Sequence, residues 1–536
     1  MSLYVITQIK IPVTGSIPDI IDKARARFRR CSTSFDNFSV SRLSVDARDR
    51  TDVRYVASVC AELRPDSREP RDLDRFGITK ISPPGPPQVM PPVSGTGRPV
   101  IVGFGPAGMF AALLLAEAGY RPLVIERGES VRKRAESVSE FYRTSVLSED
   151  SNIQFGAGGA GTFSDGKLVT RINDSRCSYV IDRFIGFGAP PDIAYRAKPH
   201  IGSDNLLGIV ESVAKRIEDL GGSILYNSKM TSINCRGRKV NSVSVSDGTE
   251  IECGALILAI GHSARDTFSY LIGRKDFDIA AKPFSVGVRI EHLQRDIDTA
   301  MYGSFADVPG IPHAEYALSH KCTDGRGVYT FCMCPGGEVV AAASEEGGIV
   351  TNGMSRYARD GVNANSAVNV SVDPSDYGGD PVSAIEFQRR IERAAFVAAG
   401  RSYNAPCVSV GEFLGRSFDS SGTISPTYMY GNVTRLSGSG FESLFPRSVA
   451  ESLKEGICAF GRKISGFDSD HALLTAPETR TSSPLRIIRG ENCAATGFDN
   501  LFPAGEGAGY AGGITSAAVD GIRAACALSE YMHSLN

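Results

Sequence analysis

The chain has 536 residues, 42% apolar and 22% charged, with a formal charge of −2. That length exceeds one ordinary core and calls for two or three domains, while the near-neutral balance excludes bulk attraction to nucleic acid or an anionic membrane. No basic-then-apolar leader opens it and no apolar run of roughly eighteen residues occurs, so membrane spanning is not expected and a cytoplasmic location is; the twelve cysteines are scattered and read as free thiols rather than a disulfide framework.

Residues 1–80 predict a small α+β module: a strand over Leu3 to Ile9, a helix over Ser16 to Arg30, and strands near Phe38 to Asp46 and Arg54 to Leu63. Ser16 with Asp19 three residues on is an N-terminal capping signal, and Ile17, Ile20, Ile21, Ala24 and Phe28 form an apolar stripe. The other helix face carries Lys23, Arg25, Arg27, Arg29 and Arg30. It reads either as a solvated face or as an RNA contact, and no aromatic stacking platform accompanies it. Ile81 to Pro99 holds seven prolines and three glycines, the composition of a semi-rigid extended linker, assigned to residues 81–98.

The stretch from Val100 to Gly128 follows. Val100, Ile101 and Val102 predict a buried parallel strand, and Gly103-Phe-Gly105-Pro106-Ala107-Gly108 places G-x-G-x-x-G directly before an apolar helix. In a dinucleotide site the first glycine permits the turn, the second lets the backbone approach a pyrophosphate, and the third lets the helix lie against the strand. A second strand, Leu123 to Ile125, ends in Glu126 and Arg127. A carboxylate there accepts ribose hydroxyls and opposes a 2′-phosphate, since like charges about 4 Å apart cost on the order of 4 kcal/mol near a surface. FAD or NAD is favoured over NADP at this site.

A polar helix is expected over Ser130 to Leu147, then a second glycine cluster from Ser151 to Lys167. Five glycines between Gly156 and Gly166 would be unfavourable in any regular element. Consecutive loop amides near Gly161, with Thr162, Ser164, Asp165 and Lys167, suit a phosphate or flavin edge, the alternative being a structural loop. From Asp204 the pattern returns to α/β: a helix to Leu220, strands from Ser223, Met230 and Lys239, a turn at Asp247-Gly248, and a strand Ala255 to Ile260 ending in Gly261 and His262. Met230 and Gly261 join the expected cofactor contacts. Residues from about 275 to 480 predict short strands, turns and an amphipathic helix over Pro381 to Ala399, as an inserted substrate or cap domain would.

Near the C-terminus, Asn500 to Gly521 contains Gly505, Glu506, Gly512, Gly513 and Ile514: a strand, an acid, a glycine-rich loop and an apolar helix. This is similar to the second cofactor motif of glutathione-reductase-like flavoproteins, in which the helix N-terminus favours the negative charge of reduced flavin by roughly 0.3 to 2 kcal/mol. The motifs Phe155 to Leu168, Lys282 to Glu291, Phe331 to Gly337, Glu478 to Pro484 and Leu501 to Gly521 together resemble the bacterial family called uncharacterised FAD-dependent dehydrogenases. The resemblance covers nearly the whole chain and implies an α/β fold: a Rossmann-like, glutathione-reductase-like FAD-binding domain over 99–275 and 481–536, with an inserted α+β cap or substrate domain over 276–480. One departure is Ala157, where that pattern leads one to expect glutamate.

The expected activity is that of an FAD-dependent oxidoreductase on a small-molecule substrate, with NADH or NADPH compatible as a transient reductant; the alternatives are an NAD-dependent enzyme without flavin and a flavoprotein acting on RNA. His262 is a candidate acid or base, or part of a polar turn with Arg265 and Asp266. Cys332 and Cys334 would share one strand face, as buried thiols or a flavin-facing pair, and their spacing is poor for zinc. Lys282, Arg289, Glu291 and His292 would line an anion pocket or form an ion-pair array, and Glu478, Arg480, Thr481 and Ser482 would lie near the flavin or at a domain interface. No metal site is expected.

Overall fold

The computed structural model describes residues 2–31, 33–69, 73–82 and 84–535; Pro83 of the expected linker lies outside them. At the N-terminal end, strands Phe35–Asp46, Arg54–Leu63, Leu3–Pro12 and Ile78–Ile81 form an antiparallel sheet in that order. Helix Ile17–Phe28 covers it through Ile20, Ala24 and Phe28, and the Asp19 carboxylate accepts the Ser16 N–H at 2.7 Å. The strand Ile78–Ile81 is absent from the sequence reading because the prolines beyond it dominate that stretch. Residues 84–98 hold no helix or strand but are not free: the Met90 N–H donates to Ser529 Oγ at 3.1 Å, and the Tyr120 hydroxyl donates to Met90 O at 3.1 Å.

Five parallel strands build the next layer, in the order Leu501–Pro503, Ala255–Leu258, Pro99–Val102, Leu123–Ile125, Ser223–Leu225. Numbered along the chain this is 3-2-1-4-5 read from the far edge, the Rossmann order, in which ligands bind beyond the carboxyl ends of the strands where the order reverses. Alternation explains why these strands read as unbroken apolar runs. Ile101 and Val124 enter a core shared with helices Pro106–Glu117, Ser203–Asp219 and Ile514–His533, while Val100, Val102, Leu123 and Ile125 face the three-stranded sheet Met230–Arg236, Lys239–Val245, Glu250–Glu252 and helix Arg265–Gly273. Both faces are buried, as parallel sheets require.

The inserted portion is a seven-stranded sheet ordered Ser319–Lys321, Gly327–Cys334, Asn363–Val372, Phe284–Leu293, Leu473–Glu478, Ala405–Ser409, Val433–Arg435. Its pairs are antiparallel except the last, which is parallel. Helices Pro381–Ala398 and Arg447–Gly461 contribute Ile391, Ala395, Leu453 and Ile457 to its core. Chain passes between the two halves at Ile279–Ala281 and Leu485–Ile487, which pair with each other. The C-terminal strand thus completes the first sheet, and the inserted sheet lies over the end of that sheet where its strands point.

Candidate functional site

One cavity of about 1090 Å³ runs from the Gly103 turn, past the glycine loop and the closing helix, to the inserted sheet. It exceeds the roughly 300–1,000 Å³ usual for small ligands and suits a dinucleotide with a substrate beside it. Gly103 is at φ 98°, and a Cβ there would strike Ala259 O; one at Gly108 would strike Gly103 O. Those two glycines are required by packing. Gly105, Gly512 and Gly513 are different: a Cβ on Gly105 would meet only Gly159 Cα at 3.7 Å, and around the other two no atom lies within 4 Å. All three line the cavity, as do the first turns of helices Pro106–Glu117 and Ile514–His533. The fold leaves bare backbone and two helix N-termini at one space, which is the donor set a pyrophosphate and a reduced flavin use.

Gly103, Pro106, Ala107, Glu126, Arg127 and Met230 line one end. Glu126 is buried, and its carboxylate accepts the N–H groups of Phe104 at 2.7 Å, Gly128 at 2.9 Å and Gly156 at 3.1 Å. It therefore organises two glycine turns as well as facing the cavity, a use the ribose assignment did not include. Arg127 packs its guanidinium on the Phe155 ring, 4.0 Å from the centroid, and pairs with Asp150 and Asp266 at 2.7 Å each.

The glycine loop divides. Gly161, Ser164 and Lys167 line the cavity. Thr162 and Asp165 are buried and do not line it, a correction to the expectation that both contact the cofactor. Asp165 pairs with Arg359 at 2.7 Å and with Lys167, and accepts the Ser355 hydroxyl, so it ties the loop to the inserted domain. Burial works against the Lys167 charge, yet Asp165 beside it holds its pKa above the ordinary lysine range. Beneath the loop lies Arg134, which the sequence reading missed. It is fully buried and donates to five backbone carbonyls: Asn152 and Ile153 at 2.8 Å, Ala157 at 2.7 Å, Gly159 at 2.9 Å and Gly156 at 3.3 Å. Its signal, one arginine in a polar helix, looks like any solvated residue.

At the closing motif, Glu506, Gly512, Gly513 and Ile514 line the cavity. Gly505 does not: its N–H donates to Asp520 Oδ2 at 2.7 Å, and a Cβ there would press on Ala107. Asp520 also pairs with Arg489 at 2.5 Å, locking strand end to helix. Burial raises the Glu506 carboxyl to about 7 against the pull of Lys282, although 23% of the side chain remains open to the cavity. Gly261 and His262 line the same region. The His262 Nδ1 is 3.8 Å from Glu506 Oε2, and its buried Nε2 has no protein partner. Burial, reinforced by Arg480 and Arg265, pushes His262 down to about 3, which favours the neutral ring.

On the inserted side, Cys332, Glu478, Arg480, Thr481 and Ser482 line the cavity and Cys334 does not. The shared-face expectation for the two cysteines is altered by a β-bulge between Phe331 and Cys334, with Cys332 in left-handed backbone at φ 46°. Arg480 is committed: it bonds Glu392 at 3.1 and 3.2 Å and also Ser344. Of the four residues from Lys282 to His292 considered as an anion pocket, only Lys282 reaches the cavity. Arg289 is buried against Glu478 at 2.7 Å, Glu291 accepts the Thr427 hydroxyl at 2.6 Å, and His292 bonds Phe467 O at 2.8 Å. Elsewhere, Lys23 and Arg27 of the N-terminal helix donate to Lys10 O and Thr7 O, and Arg25 pairs with Asp22. His320, Cys322 and Glu455 bring possible ligand atoms within 4.8 Å, but Glu455 is held by the Thr323 N–H and hydroxyl.

A Rossmann-ordered sheet whose first turn and last helix open into one long cavity beneath an inserted sheet defines a glutathione-reductase-like FAD-binding fold. Residues 283–481 match a family model described as the C-terminal domain of an FAD-dependent protein. A Clostridium beijerinckii protein described as uncharacterized is 44% identical over 527 residues, covering 97% of both chains. The chain belongs to this bacterial family of FAD-dependent proteins, and FAD is its cofactor. Among solved structures it is similar to a geranylgeranyl bacteriochlorophyll reductase-like protein of Thermoplasma acidophilum, with 11% identity, a TM-score of 0.36 and coverage of 82% of this chain and 79% of that one. It is also similar to the flavin-dependent brominase Bmp2, with 13% identity, a TM-score of 0.38 and the same coverage. No helix among the described residues is long and apolar enough to cross a membrane.

Proposed function

We propose that the protein is an FAD-dependent oxidoreductase of the dehydrogenase or reductase type, acting on a small molecule with an apolar body and an anionic group. The observation that carries this reading is the continuity of one cavity between the dinucleotide end and the inserted sheet. Bound FAD supplies a two-electron carrier that exchanges hydride equivalents with a substrate. The chain's own residues bind, orient and screen. Gly105, Ala107 and Glu126 would hold the adenosine and pyrophosphate end, Arg134 would keep the glycine loop in shape, and Glu506 with the first turn at Ile514 would meet the flavin end.

The opposite wall sets the substrate. Val169, 54% exposed, and Phe331, 39% exposed, line the cavity together with Leu318 and Ile172. Apolar side chains left open inside a cavity are placed for an apolar ligand. Arg171 and Lys282 also line it, while Lys167 is paired with Asp165 and Glu478 with Arg289. A carboxylate or phosphate on the substrate complements that excess of positive charge. The neutral His262, with its unpartnered Nε2, is a hydrogen-bonding group for a polar substrate atom rather than a proton donor. NADH or NADPH fits the same charge pattern as the reductant.

The test is anaerobic reduction of the purified flavoprotein by NADH and by NADPH, followed by a metabolite screen for flavin reoxidation. Rapid bleaching of the flavin by one nucleotide and its return with an acidic apolar compound is the expected result. A protein that binds FAD but exchanges electrons with neither nucleotides nor any compound screened would sink the proposal.

A further inference from the structure

The two cysteines of Phe331-Cys332-Met333-Cys334 are left over from the reading above, and their geometry is unusual. In a regular strand, residues two apart have Cβ atoms too far separated for the roughly 3.5–4.5 Å that a disulfide needs. Here the strand is contracted. Between Phe331 and Cys334 the partner strand advances only from Ala367 to Asn365, so one extra residue is accommodated, and Cys332 turns into left-handed backbone at φ 46°. The contraction brings the Cys334 thiol to 3.3 Å from Cys332 O, to which it donates. Non-glycine residues in that region are uncommon and concentrate at working sites.

The surroundings are cationic and asymmetric. Lys167, from the glycine loop, lies 3.9 Å from Cys334 Sγ and also donates to Met333 O. Arg289 donates to Cys332 O at 2.9 Å. Cys332 faces the flavin cavity, whereas Cys334 is buried behind it. Two thiols on one contracted turn of strand, one lining the cavity and one shielded behind it, have the layout of an exchanging thiol and a resolving thiol.

We propose that Cys332 and Cys334 form a thiol/disulfide couple on the substrate wall of the cavity, which passes two electrons between bound FAD and a small disulfide. This rests on the oxidoreductase reading. Cys332 as thiolate attacks the substrate S–S bond, forming a mixed disulfide and releasing one substrate thiol. Cys334 then attacks Cys332, forming the Cys332–Cys334 bond and releasing the second. Two electrons and two protons from FADH2 break that bond and restore both thiols. The net change is one disulfide and FADH2 to two thiols and FAD. The ionisation of the pair agrees: the neighbouring Cys334 side chain, with Lys167 and Arg289, draws the Cys332 thiol down, and the Cys332 side chain with burial pushes Cys334 up.

The first experiment needs no variant. Protein treated with diamide, denatured, alkylated with iodoacetamide and digested should yield one unalkylated, disulfide-closed peptide holding Cys332 and Cys334, with the other ten of the twelve cysteines alkylated. The second counts electrons: the oxidised holoenzyme should take up four per FAD from dithionite, and Cys332→Ser and Cys334→Ser each two. Reoxidation of the reduced flavin by 5,5′-dithiobis(2-nitrobenzoate) should slow about tenfold or more in Cys332→Ser. Full alkylation of both cysteines after diamide, or unchanged electron uptake and reoxidation in Cys332→Ser, overturns the couple. Failure of the oxidoreductase reading shows separately, as a flavin that no nucleotide, metabolite or disulfide oxidises or reduces while the peptide assay still reports the cysteine bond.

Discussion

Arg134 offers the sharpest perturbation of the cofactor site, because it touches nothing in the cavity. Arg134→Met keeps much of the volume and removes every donor. Five backbone carbonyls, of Asn152, Ile153, Gly156, Ala157 and Gly159, lose their partner at once. A hydrogen bond to a charged group is worth roughly 1.5–3 kcal/mol net, and removing one member of a buried charged cluster typically costs about 3–5 kcal/mol because the bonds are not additive. Burial already lowers Arg134 to about 9, with Glu126 acting against that shift, so part of the interaction energy is spent on desolvation. A net loss of roughly 4 kcal/mol is the central expectation, about a thousandfold in the population of the ordered loop. Thermal melting of the apoprotein should fall by roughly 4 °C, and FAD content on purification should drop sharply. Arg134→Lys, with three donors instead of five, should fall between. FAD content by chromatography after denaturation and calorimetric titration of the apoprotein measure both effects. An Arg134→Met protein that melts like wild type and carries one FAD per chain would refute the reasoning.

The glycines separate into two groups by experiment. Gly103→Ala should destabilise the apoprotein, since its Cβ would meet Ala259 O at a left-handed φ, whereas Gly105→Glu and Gly513→Asp should give folded but colourless protein, read by circular dichroism and by the 450 nm absorbance. Retention of FAD in both of the latter would dispose of the cofactor site. The Glu506 carboxyl gives a pH signature. Burial raises it to about 7 in the folded chain, so the folded state binds the extra proton and that stabilisation, full below the unfolded carboxylate value, is lost as pH rises toward 7. Melting curves of the apoprotein from pH 4.5 to 8 should therefore decline less in Glu506→Gln than in wild type, and parallel curves would contradict the assignment.

The parts of this molecule written in local pattern were legible in the sequence. The strand at Val100, the G-x-G-x-x-G turn and the closing helix at Ile514 follow from apolar runs, backbone needs and helix signals that a few neighbouring residues define. The strands Arg54–Leu63 and Lys239–Val245 match the reading to the residue. What escaped depends on partners far away in the chain. Asp165 looked like a cofactor contact because nothing near it announces Arg359, and Arg134 drew no notice in a polar helix because its five acceptors come from the next loop. Arg289, Glu291 and His292 read as an anion pocket or a surface ion-pair array, yet their strand is central in a sheet and buried on both faces. The helix Arg447–Gly461 was missed as well, lying in a stretch that the many turns around it made look irregular.

Two buried ion clusters bracket the cavity, and their placement decides whether the inserted domain can move. On one side Asp165 of the glycine loop joins Arg359 and Lys167; on the other Arg265 joins Glu392 at 2.7 Å, Glu392 joins Arg480 at 3.1 Å, and Arg265 joins Glu345 at 2.6 Å. In the first cluster Asp165 and Lys167 belong to the nucleotide-binding half and Arg359 to the insert; in the second Arg265 belongs to the nucleotide-binding half and Glu345, Glu392 and Arg480 to the insert. Glu392 sits between two arginines, and although burial opposes its charge, Arg265 and Arg480 hold it below the usual carboxylate range. Parting the halves would break these buried pairs, and removing one member of such a pair while the rest stays buried typically costs about 3–5 kcal/mol. The two clusters therefore tie the insert to the nucleotide-binding half on both sides of the cavity, while Val169 and Phe331 leave apolar surface exposed on its lining. Glu392→Gln removes the charge but keeps the shape. It should leave Glu345 as the single carboxylate shared by Arg265 and Arg480, raise hydrogen exchange in Arg265–Gly273 and Pro381–Ala398 together, and shift substrate KM more than FAD content, because Arg480 faces the substrate wall. Unchanged exchange in both helices would show that packing alone fixes the insert and that the clusters do not.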